Sequence, residues 1–185
     1  FRAWAEGPEL TRQRSYGNGA AMRVIPIAYA YSAPEEVLRQ VRLSCLYTHR
    51  HPEAVAGAQA VALAAFLALQ GTSKDEIRHT LEKRFGYDLS RPLQEIRAGF
   101  AFDSRTARSV PPAIRAFLEA ADYEEAVRLA VSLGGDADTM ACIAGGIAEA
   151  YYKQIPDAIR ARCDRLLDSG LKTTLRAFRQ RFVTV

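Results

Sequence analysis

The stretch Pro52-Glu-Ala-Val-Ala-Gly-Ala-Gln-Ala-Val-Ala-Leu-Ala-Ala-Phe-Leu-Ala-Leu69 decides the fold class. From Ala54 to Leu69 only Gln59 is strongly polar, and half of the residues are alanine, the best helix former. A helix with no wet face must be buried on most sides, so other helices have to surround it. The run also stops short of the roughly 20 apolar residues that span a bilayer, so the expectation is a core helix rather than a membrane anchor. Pro52-Glu53 opens this helix and Gly71 ends it.

Outward from there, the apolar spacing is helical almost throughout. Ser32-Ala-Pro-Glu35 reads as a capping box with Pro in the first turn, and Val37, Leu38, Val41 and Cys45 then share one face. Ser73-Lys-Asp-Glu76 is a second capping box, leading into Ile77, Leu81 and Phe85, with Gly86 as the stop. Between Tyr87 and Pro112 the punctuation by Pro92, Gly99, Pro111 and Pro112 predicts loops and one short helix. Asp122 caps a helix through Leu133. Met140, Ile143, Ala144, Ile147 and Tyr151 are the stripe of another, and two short basic helices follow Pro156. No run alternates apolar and polar long enough for a sheet, and no repeat shows. The expected fold is an all-α single domain over residues 1–185.

Composition agrees. At 185 residues with 49% hydrophobic content and a net charge of +4, the chain is long enough to bury one sizeable core and too apolar to be disordered. Residues 1–155 carry 18 basic and 18 acidic side chains, so the excess comes from 7 basic against 3 acidic beyond them. Apolar residues interleave with that basic tail (Arg160, Arg162, Arg165, Lys172, Arg176, Arg179, Arg181) at helical spacing, which favours a solvated helix face over nucleic-acid binding. Three scattered cysteines, Cys45, Cys142 and Cys163, form no disulfide framework and no zinc knuckle; they read as small core residues in a reducing, cytoplasmic setting. No signal peptide is evident, and an opening Phe1 in place of Met suggests a fragment or processed chain.

Three segments carry chemistry. In Ser132-Leu-Gly-Gly-Asp-Ala-Asp-Thr139, two glycines permit a tight turn and Asp136, Asp138 and Thr139 follow at a helix start. Their oxygens can converge on Mg²⁺ or Mn²⁺. They can equally cap the helix and meet its dipole, and spacing leaves both readings open. In Ser15-Tyr-Gly-Asn-Gly-Ala-Ala-Met-Arg23, the glycines around Asn18 either let backbone N–H groups approach a phosphate, with Arg23 adding charge, or form a plain turn. In Thr48-His-Arg-His51, the histidines can touch metal or phosphate or lie exposed, and without a third ligand nearby they make a poor zinc site.

Taken in order, these segments resemble the ADP-ribosylglycohydrolase family over nearly the whole chain, the matched pattern beginning at about Phe1-Arg-Ala-Trp4. The matches are Gly17-Asn-Gly-Ala-Ala-Met-Arg23, Thr48-His49 with His51-Pro-Glu and Gly57-Ala58, and Leu133-Gly-Gly-Asp-Ala-Asp-Thr139 running to Tyr152. The resemblance implies an all-α bundle with a binuclear Mg²⁺ or Mn²⁺ centre that hydrolyses the glycosidic bond between ADP-ribose and an acceptor, often arginine. It makes Asp136, Asp138 and Thr139 metal ligands and Asp136 and Asp138 the catalytic pair. It places Gly17, Asn18, Gly19, Met22 and Arg23 around ADP-ribose, with His49 near its ribose or phosphate.

The family's N-terminal Gly-Asp-Ala-type segment and Thr-Asp-Asp motif, which supply the remaining ligands, do not precede the glycine loop here. Arg50 stands where relatives often have Asn. The chain therefore looks like the C-terminal portion of such an enzyme, lacking its N-terminal helices and open to self-association. The alternative is a non-catalytic ADP-ribose-binding or crystallin-like protein on the same scaffold. Membrane and nucleic-acid partners are not expected.

Overall fold

The computed structural model describes residues 6–7 and 12–183; the Phe1–Trp4 stretch at which the resemblance begins lies outside the described residues. Among the described residues, ten α-helices follow a single 3₁₀ turn at Ala21–Arg23. They are α1 (Ile25–Ala30), α2 (Pro34–Cys45), α3 (Pro52–Leu69), α4 (Lys74–Phe85), α5 (Leu93–Arg97), α6 (Thr106–Glu119), α7 (Tyr123–Ser132), α8 (Ala137–Tyr152), α9 (Asp157–Leu166) and α10 (Ser169–Phe182). Among the described residues the only extended pairings are two isolated bridges, Arg14 with His49 and Gly17 with Arg105.

Helix α3 is the axis of the bundle. It packs against α1, α2, α4, α6 and α8, which explains why it needs no polar face. Its length and apolarity would also suit a membrane span, but most of it is buried among these helices. His51 caps it by accepting from the Glu53 N–H at 3.2 Å. The second capping box forms as read, with both halves present at Ser73 and Glu76, and Gly86 stops α4 in the left-handed region at φ 70°.

Three local expectations are corrected. Ser32 does not cap α2, because Pro34 holds Ala33 extended and the helix begins at Pro34 itself. Pro111 and Pro112 do not end a loop but lie inside α6. They remove two intrahelical donors, and the buried face made by Val110, Ile114 and Phe117 keeps the helix running through them. Of the cysteines, only Cys45 is buried; Cys142 and Cys163 are exposed, and all three are free thiols. Helices α9 and α10 bury no residue, in keeping with a solvated basic tail, and α10 touches α1 through Tyr29 and Phe178 at 6.2 Å.

The C-terminal end of α8 meets the start of α4 at Lys74. Its Nζ donates to the Ala120 carbonyl and to Tyr152 Oη at 2.8 Å, and lies 5.1, 5.6 and 5.3 Å from the rings of Phe117, Tyr151 and Tyr152. Burial pulls this ammonium below the ordinary lysine range. A charge-assisted hydrogen bond and a desolvated cation–π contact each contribute about 1–3 kcal/mol. Lys74→Gln is therefore expected to lose about 2 kcal/mol in urea unfolding. A variant as stable as the parent would show that the ammonium is merely accommodated.

Candidate active site

The Gln13–Asn18 segment is held on both sides. Gln13 N donates to Tyr47 O and Arg50 N to Gln13 O, while Thr106 N and Oγ1 both donate to Tyr16 O and Asn18 N donates to Ser104 O. These bonds fix the glycine loop between the end of α2 and the start of α6. They also consume amides: Gly17 N donates to Ser15 Oγ at 3.1 Å and Asn18 N to Ser104 O at 2.9 Å. Neither of these two amides is therefore left for an anion.

Asn18 is 5% exposed, and its side chain turns inward. Nδ2 donates to Asp136 Oδ2 at 2.7 Å and to Ser109 Oγ at 3.0 Å, and Ser109 Oγ donates on to Arg105 O at 2.9 Å. The loop and the acidic turn, 118 residues apart, are thus one hydrogen-bonded unit. Met22 reinforces the join: Thr139 Oγ1 points at its Sδ at 3.7 Å, and Cys142 Sγ donates to its carbonyl at 3.3 Å.

The acidic turn depends on its glycines. Gly134 and Gly135 have φ of 75° and 66°, and a Cβ at Gly135 would stand 2.7 Å from Phe100 Cε1. Asp136 is the N-cap residue of α8, yet its side chain makes no capping bond. Its carboxylate is committed to Asn18 instead, which separates it from the plain capping reading. Asp138 is exposed, and Thr139 N donates to its Oδ1 at 2.8 Å. That N–H, and after it the adjoining Asp136 carboxyl, hold Asp138 below the ordinary carboxylate range.

Two carboxylates from one turn and a neighbouring hydroxyl are hard oxygen donors, the kind Mg²⁺ and Mn²⁺ take. They fit such an ion in chemistry and fill part of its shell; among the described residues no cluster of three or more His, Cys, Asp or Glu completes it.

His49 meets the loop from the other side. Its Nδ1 lies 2.8 Å from Thr48 Oγ1, which accepts from an Arg23 NH2 at 2.6 Å. A Cβ at Gly19 would stand 3.1 Å from its Nε2. Burial, and then the Arg23 charge, pull His49 below the usual imidazole range. His51, by contrast, caps α3 and sets its ring edge-on to Tyr16 at 6.0 Å.

All the residues singled out for this site (Gly17, Asn18, Gly19, Met22, Arg23, His49, Asp136, Asp138 and Thr139) thus lie in one connected neighbourhood. Ser109 and Thr106, which anchor the loop from α6, were missed. The Ser109-Val-Pro-Pro112 run looks like a turn, and nothing local in it marks a buried hydroxyl.

Comparison with known proteins gives the family. The family model for ADP-ribosylglycohydrolase matches residues 1–185. ADP-ribosylhydrolase ARH3 of Homo sapiens is 33% identical over 199 residues, covering 81% of this chain and 54% of its own length. The Bos taurus protein of that name gives the same figures. A protein of Archaeoglobus fulgidus is 30% identical over 182 residues, covering 89% of this chain and 59% of its own. A solved structure described as an ADP-ribosylglycohydrolase-related protein complex superposes with a TM-score of 0.64 at 31% identity, covering 81% of this chain and 56% of that one. The chain spans about half the length of the curated relatives it matches. With a helical fold, an ordered set of motifs and a match along its full length, the chain belongs to the ADP-ribosylglycohydrolase family.

Proposed function

We propose that this chain supplies the C-terminal half of the site of a Mg²⁺- or Mn²⁺-dependent hydrolase cleaving the glycosidic bond between ADP-ribose and an acceptor such as protein arginine. The observation that carries the reading is the 2.7 Å hydrogen bond from Asn18 to Asp136, which sets a loop suited to phosphate beside carboxylates suited to a cation. Asp136, Asp138 and Thr139 would hold the ion. Bound there, it would supply Lewis acidity toward the ribose oxygens and a water of lowered pKa.

The protein's own residues do the remaining work. Asn18, braced by Ser109, orients the Asp136 carboxylate. Gly19 would give a pyrophosphate room beside His49, and Arg23, held on Thr48, adds positive charge close by. Met22, 44% exposed, places an apolar wall against the acidic turn. The two carboxylates fill only part of an octahedral shell. The residues 1–185 alone are therefore expected to be inactive on ADP-ribosyl-arginine, with turnover restored by a Thr-Asp-Asp-containing N-terminal fragment.

Metal linkage provides the test. At a concentration 100-fold above its dissociation constant, an ion that binds only the folded state stabilises it by about 2.7 kcal/mol. At this chain length that raises the melting temperature by roughly 5–10 °C. Asp138→Asn is expected to lose the Mn²⁺-induced shift in a chain completed with the N-terminal segment. An equal shift in parent and variant would move the ion elsewhere. No shift in either would leave the non-catalytic binding protein as the reading.

A further inference from the structure

The Arg23, Thr48 and His49 side chains form a directional chain that ends at the glycine loop. A guanidinium has donors only, so at 2.6 Å Thr48 Oγ1 must accept from Arg23. Arg23 is steadied by a second, longer bond from the same NH2 group to Ser44 O at 3.4 Å. With one lone pair of Thr48 Oγ1 taken by Arg23, its own O–H is free to point at His49 Nδ1, 2.8 Å away. An imidazole that accepts at Nδ1 carries its proton on Nε2. That nitrogen faces Gly19, where a Cβ would come within 3.1 Å. The backbone here is not in the left-handed region, so what a side chain would meet is the ring itself, which would have to give by a few tenths of an ångström.

We propose that Thr48, backed by Arg23, is a positioning residue that fixes His49 in the Nε2–H form, so that the ring offers an N–H donor across Gly19 to an acceptor oxygen of the ligand, a phosphate oxygen in particular. This rests on the reading of the glycine loop as a pyrophosphate site. The backbone holds the ring's base in place: His49 N donates to Cys45 O at 2.8 Å, and Arg50 N donates to Gln13 O. Burial, and then the nearby guanidinium, pull His49 below the usual imidazole range, which favours the neutral state in which its two nitrogens differ. The alternative, with Nδ1–H donating to Thr48, would use both lone pairs of the hydroxyl, oblige its O–H to find another acceptor, and leave Nε2 as an acceptor, which repels phosphate oxygens.

Nitrogen-15 spectra of the imidazoles at neutral pH test this on the chain as it stands. There are only three histidines, and the other two serve as references. His51 Nδ1 accepts from Glu53 N, so its proton belongs on Nε2; His79 Nδ1 faces the Asp75 carbonyl at 2.7 Å, so its proton belongs on Nδ1. His49, identified by its loss in His49→Gln, is expected to match the His51 pattern. Thr48→Val should give a mixture of the two forms, and Thr48→Ser should restore the single form; circular dichroism checks that both variants fold. A parent His49 protonated on Nδ1, or a Thr48→Val spectrum like the parent's, would overturn the proposal. In parallel calorimetry, Thr48→Val should weaken ADP-ribose about tenfold while leaving adenosine, which has no phosphate, unchanged, and Thr48→Ser should recover the loss. If ADP-ribose fails to bind even the parent while the spectra behave as expected, the ligand reading fails and the fixed tautomer stands.

Discussion

Gly57→Ala is expected to destabilise the protein by about 3 kcal/mol, the upper end of what overpacking usually costs. The sign is the informative part. In an exposed helix the same change stabilises by roughly 0.5–1 kcal/mol, because alanine loses less backbone entropy on folding. Here a Cβ at Gly57 would overlap Thr106 Cγ2 and stand 3.5 Å from Tyr87 Oη. Thr106 is wholly buried at the first turn of α6, so one helix must move away from the other. At this chain length the loss lowers the melting temperature by roughly 6–12 °C. Thr106→Ser removes the offending methyl and keeps the hydroxyl that donates to Tyr16 O at 2.9 Å. The double variant should recover most of the stability, a coupling of at least about 1 kcal/mol in a double-mutant cycle. Additive losses would mean that the α3–α6 contact is looser than its geometry indicates.

Gly135→Ala should cost about 2 kcal/mol and should also disturb the acidic turn. Forcing a non-glycine residue to positive φ costs roughly 1–2 kcal/mol, and at Gly135 the added methyl must displace the Phe100 ring as well. Gly134 is the control: its φ is 75°, but nothing stands within 4 Å of its missing Cβ. Gly134→Ala should therefore show the backbone strain alone. Because Gly135 directly precedes Asp136, its variant should weaken the Asn18–Asp136 hydrogen bond and any cation site with it. Urea unfolding of both variants, with and without Mn²⁺, separates the effects. Equal losses at the two glycines would remove Phe100 from the account.

How the site is legible follows from how its parts are built. The Gly-Gly-Asp-x-Asp-Thr turn and the Gly-Asn-Gly loop stand out in the sequence because each needs special backbone angles or special chemistry within a few residues. Their roles there remained double, since a carboxylate at a helix start serves as cap or ligand equally well. Only the folded chain separates these for Asp136, by turning its carboxylate to Asn18 and away from the α8 amides. Ser109 was invisible for the opposite reason: its importance lies wholly in a partner 91 residues away.

The sequence by itself determined the helical class, the central place of the alanine-rich α3, and the caps at Ser73, Asp122 and Gly86, because helix periodicity, capping and chain stops are encoded within one or two turns. Tertiary structure alone decided that Pro111 and Pro112 continue α6 and that Cys142 faces outward beside Met22. It also decided which glycine is needed for torsion, as at Gly134, which for space, as at Gly57, and which for both, as at Gly135. The physical reason is the same in each case. A local preference of about 1 kcal/mol yields when helices from distant parts of the chain bury a shared surface, and the size of that surface is not written in any one segment.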